Sequence, residues 1–165
     1  MNIFYTSPDP TECARFLDDK RVIKMVLETT QLLCTALNHH AGEQVAPYKS
    51  THTNHPCAVW ARLSSDNWTW LLKHAYALCD EYSVRYGRTH KCQAVLDQIA
   101  ELVGQYLPPI GPTPLPNCAR NLSLDLDCTH IEDVNEAYEL YLTQRWSRDK
   151  RQPTWYGHAR AMEVI

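Results

Sequence analysis

The sequence predicts an all-α fold, a single compact helical domain over residues 1–165 with a short extended N-terminal arm and a Pro-rich connector. Two patterns favour this fold: apolar residues recur at helical spacing along much of the chain, and the alternating pattern of a half-buried strand is scarce. The composition agrees, since 44% hydrophobic and 21% charged residues are typical of a globular protein that buries a core.

The first two helices follow from signals near the start of the chain. Residues 7–10, Ser-Pro-Asp-Pro, supply capping side chains and a proline suited to a first turn, so we expect a helix through Phe16. After a joint at residues 18–19 the helix resumes to about Asn38, and Gly42 marks its end.

The boundaries of the later helices are indicated by similar signals. Pro56 and Thr89 mark helix starts, the polar residues 64–67 separate two helices, and Gly87 marks a helix end. The predicted segments are residues 56–63, 66–85, 90–106 and 131–147, with a short helix after Pro153. Residues 107–116 carry five of the ten prolines and therefore form the extended connector.

Charge and cysteine usage limit the classes of protein that fit. No apolar run reaches the roughly 18 to 20 residues that span a bilayer, and the N-terminus lacks the features of a signal peptide, so we expect a cytoplasmic protein. The seven cysteines form no C-x-x-C pair and are expected to be free thiols. A formal net charge of -3 argues against a protein that simply coats nucleic acid.

The first long helix carries one narrow polar stripe on a mainly apolar surface, formed by Arg21, Lys24, Glu28 and Gln31. In one interpretation the stripe is a solvated face with a Lys24–Glu28 ion pair. In the other it lines a cleft, where a carboxylate flanked by cations would stabilise an oxocarbenium-like sugar.

The connection before the third helix is rich in histidine. His52, His55 and Cys57 are possible metal ligands, but their spacing matches no familiar zinc motif, and we predict no metal and no cofactor. We expect His52 and His55 to bind backbone and phosphate groups beside the cleft, or to cap the helix that starts at Pro56.

The C-terminal segment interleaves cations with aromatic residues. Arg148 and Arg151 are suited to phosphates, and Trp155 and Tyr156 to stacking on bases. The alternative is that the aromatic side chains anchor the C-terminus to the core while the cations are solvated. Residues 124–139, by contrast, hold six acidic residues and no Lys or Arg.

Together these features resemble the phage-type pyrimidine-dimer DNA glycosylase/AP lyase family, often called the endonuclease V family. The resemblance is carried by an N-terminal arm before a helix with Arg and Glu, by an aromatic-rich helix after a histidine-containing connection, and by residues 152–156, Gln-Pro-Thr-Trp-Tyr, which are similar to the family's Pro-Thr-Trp-Tyr ending. It implies a phage DNA-repair enzyme, a hydrolase and lyase without cofactor, that binds double-stranded DNA and flips a nucleotide.

The resemblance also implies roles for individual residues. The family uses its N-terminal α-amine to attack the deoxyribose C1′ and form a Schiff base, and a helix Glu, here Glu28, stabilises the sugar cation. The resemblance further implies that phosphate or substrate is contacted by Lys20, Arg21 and Lys24. Where the family exposes a small residue after Met removal, this chain has Asn2, so we expect Met1 to be retained.

That difference leaves the nucleophile open. The Met1 amine is one candidate, because an α-amino group has the lowest reference pKa of the protein amines, roughly 7.7 to 8.0. Lys20 or Lys24 is another, and loss of the Schiff-base step is a third.

Two other functions fit the same sequence. One is a transferase or hydrolase in DNA base hypermodification, built on the same scaffold. The other is a non-catalytic phage or defence factor that binds a nucleotide or a protein, which the net negative charge and the acidic segment favour.

Overall fold

The computed structural model describes residues 1–156 and confirms the predicted all-α class. The helices are α1 (Pro10–Phe16), α2 (Asp19–Ala41), α3 (Pro56–Leu63), α4 (Ser65–Tyr86), α5 (Cys92–Ile99), α6 (Val103–Tyr106) and α7 (Val134–Arg148). Short 3-10 turns occupy Ala100–Leu102 and Leu122–Leu124, and a small antiparallel hairpin pairs β1 (Arg120–Asn121) with β2 (Leu126–Asp127). Among the described residues, no helix combines the length and apolar character needed to cross a membrane.

Most helix boundaries follow from capping chemistry. The Asp9 carboxylate accepts from the Thr11 and Glu12 amides at the start of α1, and Asp133 does the same for α7. Helices α2 and α4 end at Gly42 and Gly87, whose φ angles of 71° and 66° lie in the left-handed region that glycine adopts without strain.

The core is built around α2 and α4, and α1, α3, α5 and α6 each pack against one or both of these helices. Trp68 is fully buried between them and donates its Nε1–H to the Leu33 carbonyl at 3.1 Å, so the indole satisfies its one polar group. The N-terminal arm is part of this core and not a free extension, because Ile3 is fully buried.

Two helical segments differ from the sequence-based prediction. The helix expected at residues 90–106 is two short helices joined by a 3-10 turn, and this bend lets both pack against α2 and α4. Thr89 does not cap it; the His90 ring nitrogen accepts from the Cys92 amide instead. The segment expected at 131–147 starts at Val134, because Asp133 caps it.

The helix expected after Pro153 does not begin within the described residues, and residues 157–165 lie outside them. Residues 153–155 run without regular structure across the start of α2. The Asp19 amide donates to the Thr154 carbonyl at 2.9 Å, and the Trp155 indole donates to the Phe16 carbonyl at 3.1 Å. The Trp155 ring also packs edge-on against Trp146, so this side chain anchors the C-terminal segment.

We expect His74 to make the stability of the fold depend on pH. It is fully buried in α4, and burial lowers its pKa from 6.5 to about 4. In the unfolded chain this residue takes up a proton near pH 6.5, which the folded chain resists, so protonation favours unfolding. The free energy of unfolding should therefore fall as the pH drops from 6.5 towards 4.

A His74→Asn variant tests this assignment. The amide keeps an N–H donor near Nδ1, which donates to the Pro10 carbonyl at 3.1 Å, but it does not titrate. We expect the melting temperature, followed by circular dichroism, to fall less in the variant than in the wild type between pH 6.5 and pH 4. Equal pH dependence in the two proteins would contradict the assignment.

Candidate functional site

A cavity of about 260 Å³ opens between the N-terminal arm, α2, the hairpin and α7. It is lined by Met1, Asn2, Phe4, Lys20, Arg21, Lys24, Met25, Glu28, Arg120, Asn121, Tyr141 and Arg145. Five of these side chains are Lys or Arg and one is an acid, so the cavity concentrates positive charge on a protein whose formal net charge is -3.

Glu28 lies at the centre of the polar contacts in this cavity. The Met1 α-nitrogen is 3.6 Å from Glu28 Oε2, and the Asn2 amide donates to the same oxygen at 3.2 Å. The Lys24 ammonium lies 3.2 Å from Oε1, which is the i,i+4 pair predicted from the helix spacing. The carboxylate is largely buried, so these contacts compensate for much of the water that it has lost.

The amine is fixed because the arm behind it is tied down. The Asn2 Oδ1 accepts from the Ile3 amide and from the Tyr138 hydroxyl, each at 2.8 Å. Its Nδ2 donates to the Cys118 carbonyl at 3.1 Å. Phe4, which has a φ of 58°, stacks on Tyr141. The first four residues therefore contact α2, α7 and the segment before the hairpin.

Arg21 belongs to the wall of the cavity, and its charge is already paired. One terminal nitrogen lies 2.8 Å from Asp18 Oδ1 and the other 2.9 Å from Asp149 Oδ2. Burial lowers the pKa of this guanidinium, but Asp18 and then Asp149 raise it by more. Because the Trp146 indole also donates to Asp18, this network joins the start of α2 to the end of α7.

The remaining cations are more available to a ligand. The side chains of Lys20 and Lys24 are 70% and 74% exposed, and Arg120 is exposed on β1. Arg145 is partly exposed, with its Nε 3.7 Å from Asp149. These four side chains face one cavity from α2, the hairpin and α7, and are placed to meet an anionic ligand from several sides.

Other residues singled out from the sequence do not line this cavity. Gln31 lies one turn beyond Glu28 on α2, outside it. The His52 ring hydrogen-bonds to the Thr51 hydroxyl at the surface. His55 caps α3 by accepting from the Cys57 amide, and its pKa is lowered by burial and by the nearby N-terminal charge.

The C-terminal cations and aromatic residues also lie apart from Glu28. Arg148 and Arg151 line a neighbouring cavity of about 420 Å³, which shares Lys20 and Arg145 with the first. Tyr156 is exposed, and its amide donates to the Asp19 carboxylate.

The contribution of the hairpin is not indicated by any local sequence pattern. Arg120 and Asn121 follow the Pro-rich connector outside any recognisable motif, and only the fold brings them into the cavity that holds Glu28. Arg145 lies three residues before Arg148, at the start of the C-terminal segment in which cations and aromatic residues alternate. Tyr141 occupies an apolar position of α7 that resembles an ordinary core residue.

No group of three His, Cys, Asp or Glu side chains in the described part of the chain is arranged to hold a metal ion. Cys57 is instead paired with the Cys118 thiol, and this contact followed by burial raises its pKa. The same hydrogen bond lowers the pKa of Cys118 to about 7. All seven cysteines are free thiols.

Comparison with known proteins agrees with the resemblance noted in the sequence. Residues 1–94 match a family model described as pyrimidine dimer DNA glycosylase. No curated protein and no solved structure matches the chain. The matched range covers more than half of the 165 residues and includes Met1, Lys24 and Glu28, whereas the hairpin and α7 lie beyond it. The chain belongs to the pyrimidine dimer DNA glycosylase family.

Proposed function

We propose that this protein is a DNA glycosylase with lyase activity that removes a damaged or modified pyrimidine through covalent catalysis by its N-terminal amine. The observation that carries the proposal is the contact of the Met1 α-nitrogen with Glu28 Oε2, at 3.6 Å, inside a cation-lined cavity. Glu28 is the carboxylate partner, and double-stranded DNA with one flipped nucleotide is the substrate.

The reaction begins with the neutral amine. Its lone pair forms a bond to C1′ while the C1′–N bond to the base breaks, and the base leaves with that electron pair and takes up a proton. The Glu28 carboxylate stabilises the positive charge that develops on the sugar and accepts the proton that the amine loses. Opening of the sugar ring then gives an imine between the amine and C1′.

The lyase step uses the same imine. Loss of a proton from C2′ allows the 3′ phosphate to leave with the electrons of its C–O bond, and water then hydrolyses the imine and frees the amine. Glu28 is the carboxylate nearest to the Met1 nitrogen in the cavity and is placed to move this proton.

Met1 is a better nucleophile candidate than Lys24, although both contact Glu28. An α-amine has a lower reference pKa than a lysine, so more of it is neutral near neutral pH. The geometry also tolerates a chain that starts one residue later, since the Asn2 nitrogen lies 3.2 Å from the same carboxylate oxygen. Lys24 then supplies positive charge.

The exposed cations are the proposed phosphate contacts. In the proposed reaction the target nucleotide leaves the helix, which would bring its C1′ to the amine in the cavity. Lys20, Lys24, Arg120 and Arg145 are placed to bind the phosphates on either side of it. Arg21 is not counted among these contacts, because its charge is already paired with Asp18 and Asp149.

A Glu28→Gln variant should lose cleavage of the glycosidic bond in duplex DNA carrying a cyclobutane dimer, by about a hundredfold or more, because the amide cannot take up the proton or stabilise the cation. Its affinity for the DNA should change little, since the phosphate contacts remain. Cleavage of the glycosidic bond is measured by strand breaks after alkali treatment, which breaks the strand at every site that has lost its glycosidic bond, and affinity is measured by fluorescence anisotropy.

Gln31→Ala is the matched control for Glu28→Gln, since it alters a polar side chain one turn further along α2 and outside the cavity. It should retain wild-type base release. Normal base release by Glu28→Gln would exclude the proposed role of this carboxylate.

A Lys20→Ala variant should bind DNA with a weaker salt dependence. Each phosphate contact contributes about 0.9 to the slope of log affinity against log salt concentration, so the slope should become shallower by about one. Lys73→Ala, which removes an exposed lysine of α4 outside the cavity, should leave it unchanged. Equal slopes for Lys20→Ala and the wild type would remove Lys20 from the interface.

A further inference from the structure

Two cysteine thiols lie in contact beside the N-terminal arm. Cys57 is fully buried in the first turn of α3, and Cys118 is partly exposed in the segment before the hairpin. Although the two residues are far apart in sequence, their thiols hydrogen-bond to each other. Because the sulfur atoms of a disulfide are about 2.05 Å apart, thiols already in contact need only a small further approach to form one.

The two thiols differ in their acidity. The hydrogen bond with Cys118, followed by burial, raises the pKa of Cys57, which therefore remains a neutral thiol. The same hydrogen bond lowers the pKa of Cys118 to about 7, although burial opposes it, and Arg120 and the Tyr138 hydroxyl lower it further. The thiolate is the form of cysteine that attacks an oxidant, and Cys118 reaches it near neutral pH while partly open to solvent.

The other five cysteines lack this combination. All five are buried, and burial raises the pKa of four of them, Cys13, Cys34, Cys79 and Cys128. Buried thiols that stay protonated are inert towards oxidants, so oxidation should begin at Cys118.

The cysteine pair also contacts the residues that hold the N-terminal amine. The Ile3 amide donates to the Cys57 sulfur, and the Cys118 carbonyl accepts from Asn2 Nδ2 at 3.1 Å. The backbone amide of Asn2 in turn donates to Glu28. A change at the two sulfur atoms therefore acts on the residues that place the amine beside this carboxylate.

We propose that Cys57 and Cys118 form a redox site, at which a hydroperoxide produces a disulfide that displaces the N-terminal amine from Glu28 and lowers the activity. Formation of the disulfide is independent of the proposed function, whereas the loss of activity rests on it.

The oxidation has two steps. The Cys118 thiolate forms a bond to one oxygen of the hydroperoxide, the O–O bond breaks, and the other oxygen leaves with the electron pair as hydroxide or alkoxide. The Cys57 sulfur then forms a bond to the Cys118 sulfur of the resulting sulfenic acid, whose hydroxyl group leaves as water with the proton of Cys57. The two sulfur atoms are oxidised, the hydroperoxide is reduced, and a dithiol reductant reverses the reaction.

Disulfide formation moves the atoms that hold the arm. Drawing the two sulfur atoms together shifts the segment of Cys118, whose carbonyl holds Asn2, towards α3. The Ile3 amide at the same time loses a thiol sulfur as its acceptor. We expect the amine to move away from Glu28, because both hydrogen bonds are made within two residues of it.

The disulfide is detected by mass spectrometry. The reduced full chain is treated with hydrogen peroxide, its remaining thiols are alkylated, and it is digested with chymotrypsin, which separates Cys92 from Cys118 by cutting after Tyr106. A peptide pair linked through Cys57 and Cys118 should appear, and dithiothreitol should remove it. Cys57→Ser should stop at a sulfenic acid on Cys118, which dimedone captures. Cys128→Ala, which removes another buried thiol, should form the disulfide as the wild type does. The absence of a linked pair in the wild type would overturn the proposal.

The displacement of the amine is measured on the same oxidised protein. An acylating reagent at neutral pH should label the Met1 α-amine faster than in the reduced protein, because the amine has left Glu28. Cleavage of the glycosidic bond in a dimer-containing duplex should slow by about tenfold or more, since a small misplacement of a reacting group is costly, and dithiothreitol should restore it. Cys118→Ser should keep both rates after peroxide treatment, which excludes oxidation of Met1 or Met25 in the cavity as the cause.

The outcomes separate this inference from the proposed function. Equal labelling and equal cleavage in the reduced and disulfide forms would overturn the coupling of the cysteine pair to the amine. Faster labelling of the disulfide form, in a protein that cleaves no DNA in either form, would support the coupling and count against the proposed function alone.

Discussion

Glu28 and the start of the chain depend on each other. A carboxylate on a mostly buried helix is costly unless donors and cations surround it, and here the Met1 nitrogen, the Asn2 amide and Lys24 do so. Chain termini usually fray, so this arrangement persists only because Ile3 is buried and the Asn2 side chain is bound on both of its polar atoms. The packing of the arm therefore determines where the amine lies.

The rest of the cavity is positioned by a second charged network. Arg21 pairs with Asp18 and Asp149, which fixes the end of α7 against the start of α2. Arg148, one residue before Asp149, in turn holds the hairpin. Two side chains of α2 thus organise the site: Glu28 holds the N-terminal arm, and Arg21 holds the end of α7 and through it the hairpin.

The sequence was sufficient for features that depend on local chemistry. Caps and prolines placed most helices, and the spacing of Lys24 and Glu28 predicted their pair. The contribution of Arg120 was not predictable, because it depends on a hairpin whose two-residue strands are too short to show an alternating pattern. The pairing of Arg21 with Asp149 was equally hidden, since the two residues are 128 positions apart in sequence. Ion pairs between residues distant in sequence decide which cations remain available to a ligand. The spacing of residues along one helix does not indicate such pairs.

The most direct test of the account is to trap the covalent intermediate. The protein is incubated with duplex DNA containing a cyclobutane dimer or an abasic site in the presence of borohydride, which reduces any imine to a stable adduct. Digestion and mass spectrometry then locate the DNA fragment on the protein. We predict an adduct on the N-terminal α-nitrogen. An adduct on Lys20 or Lys24, or base release without any adduct, would contradict the assignment of the N-terminal amine as the nucleophile.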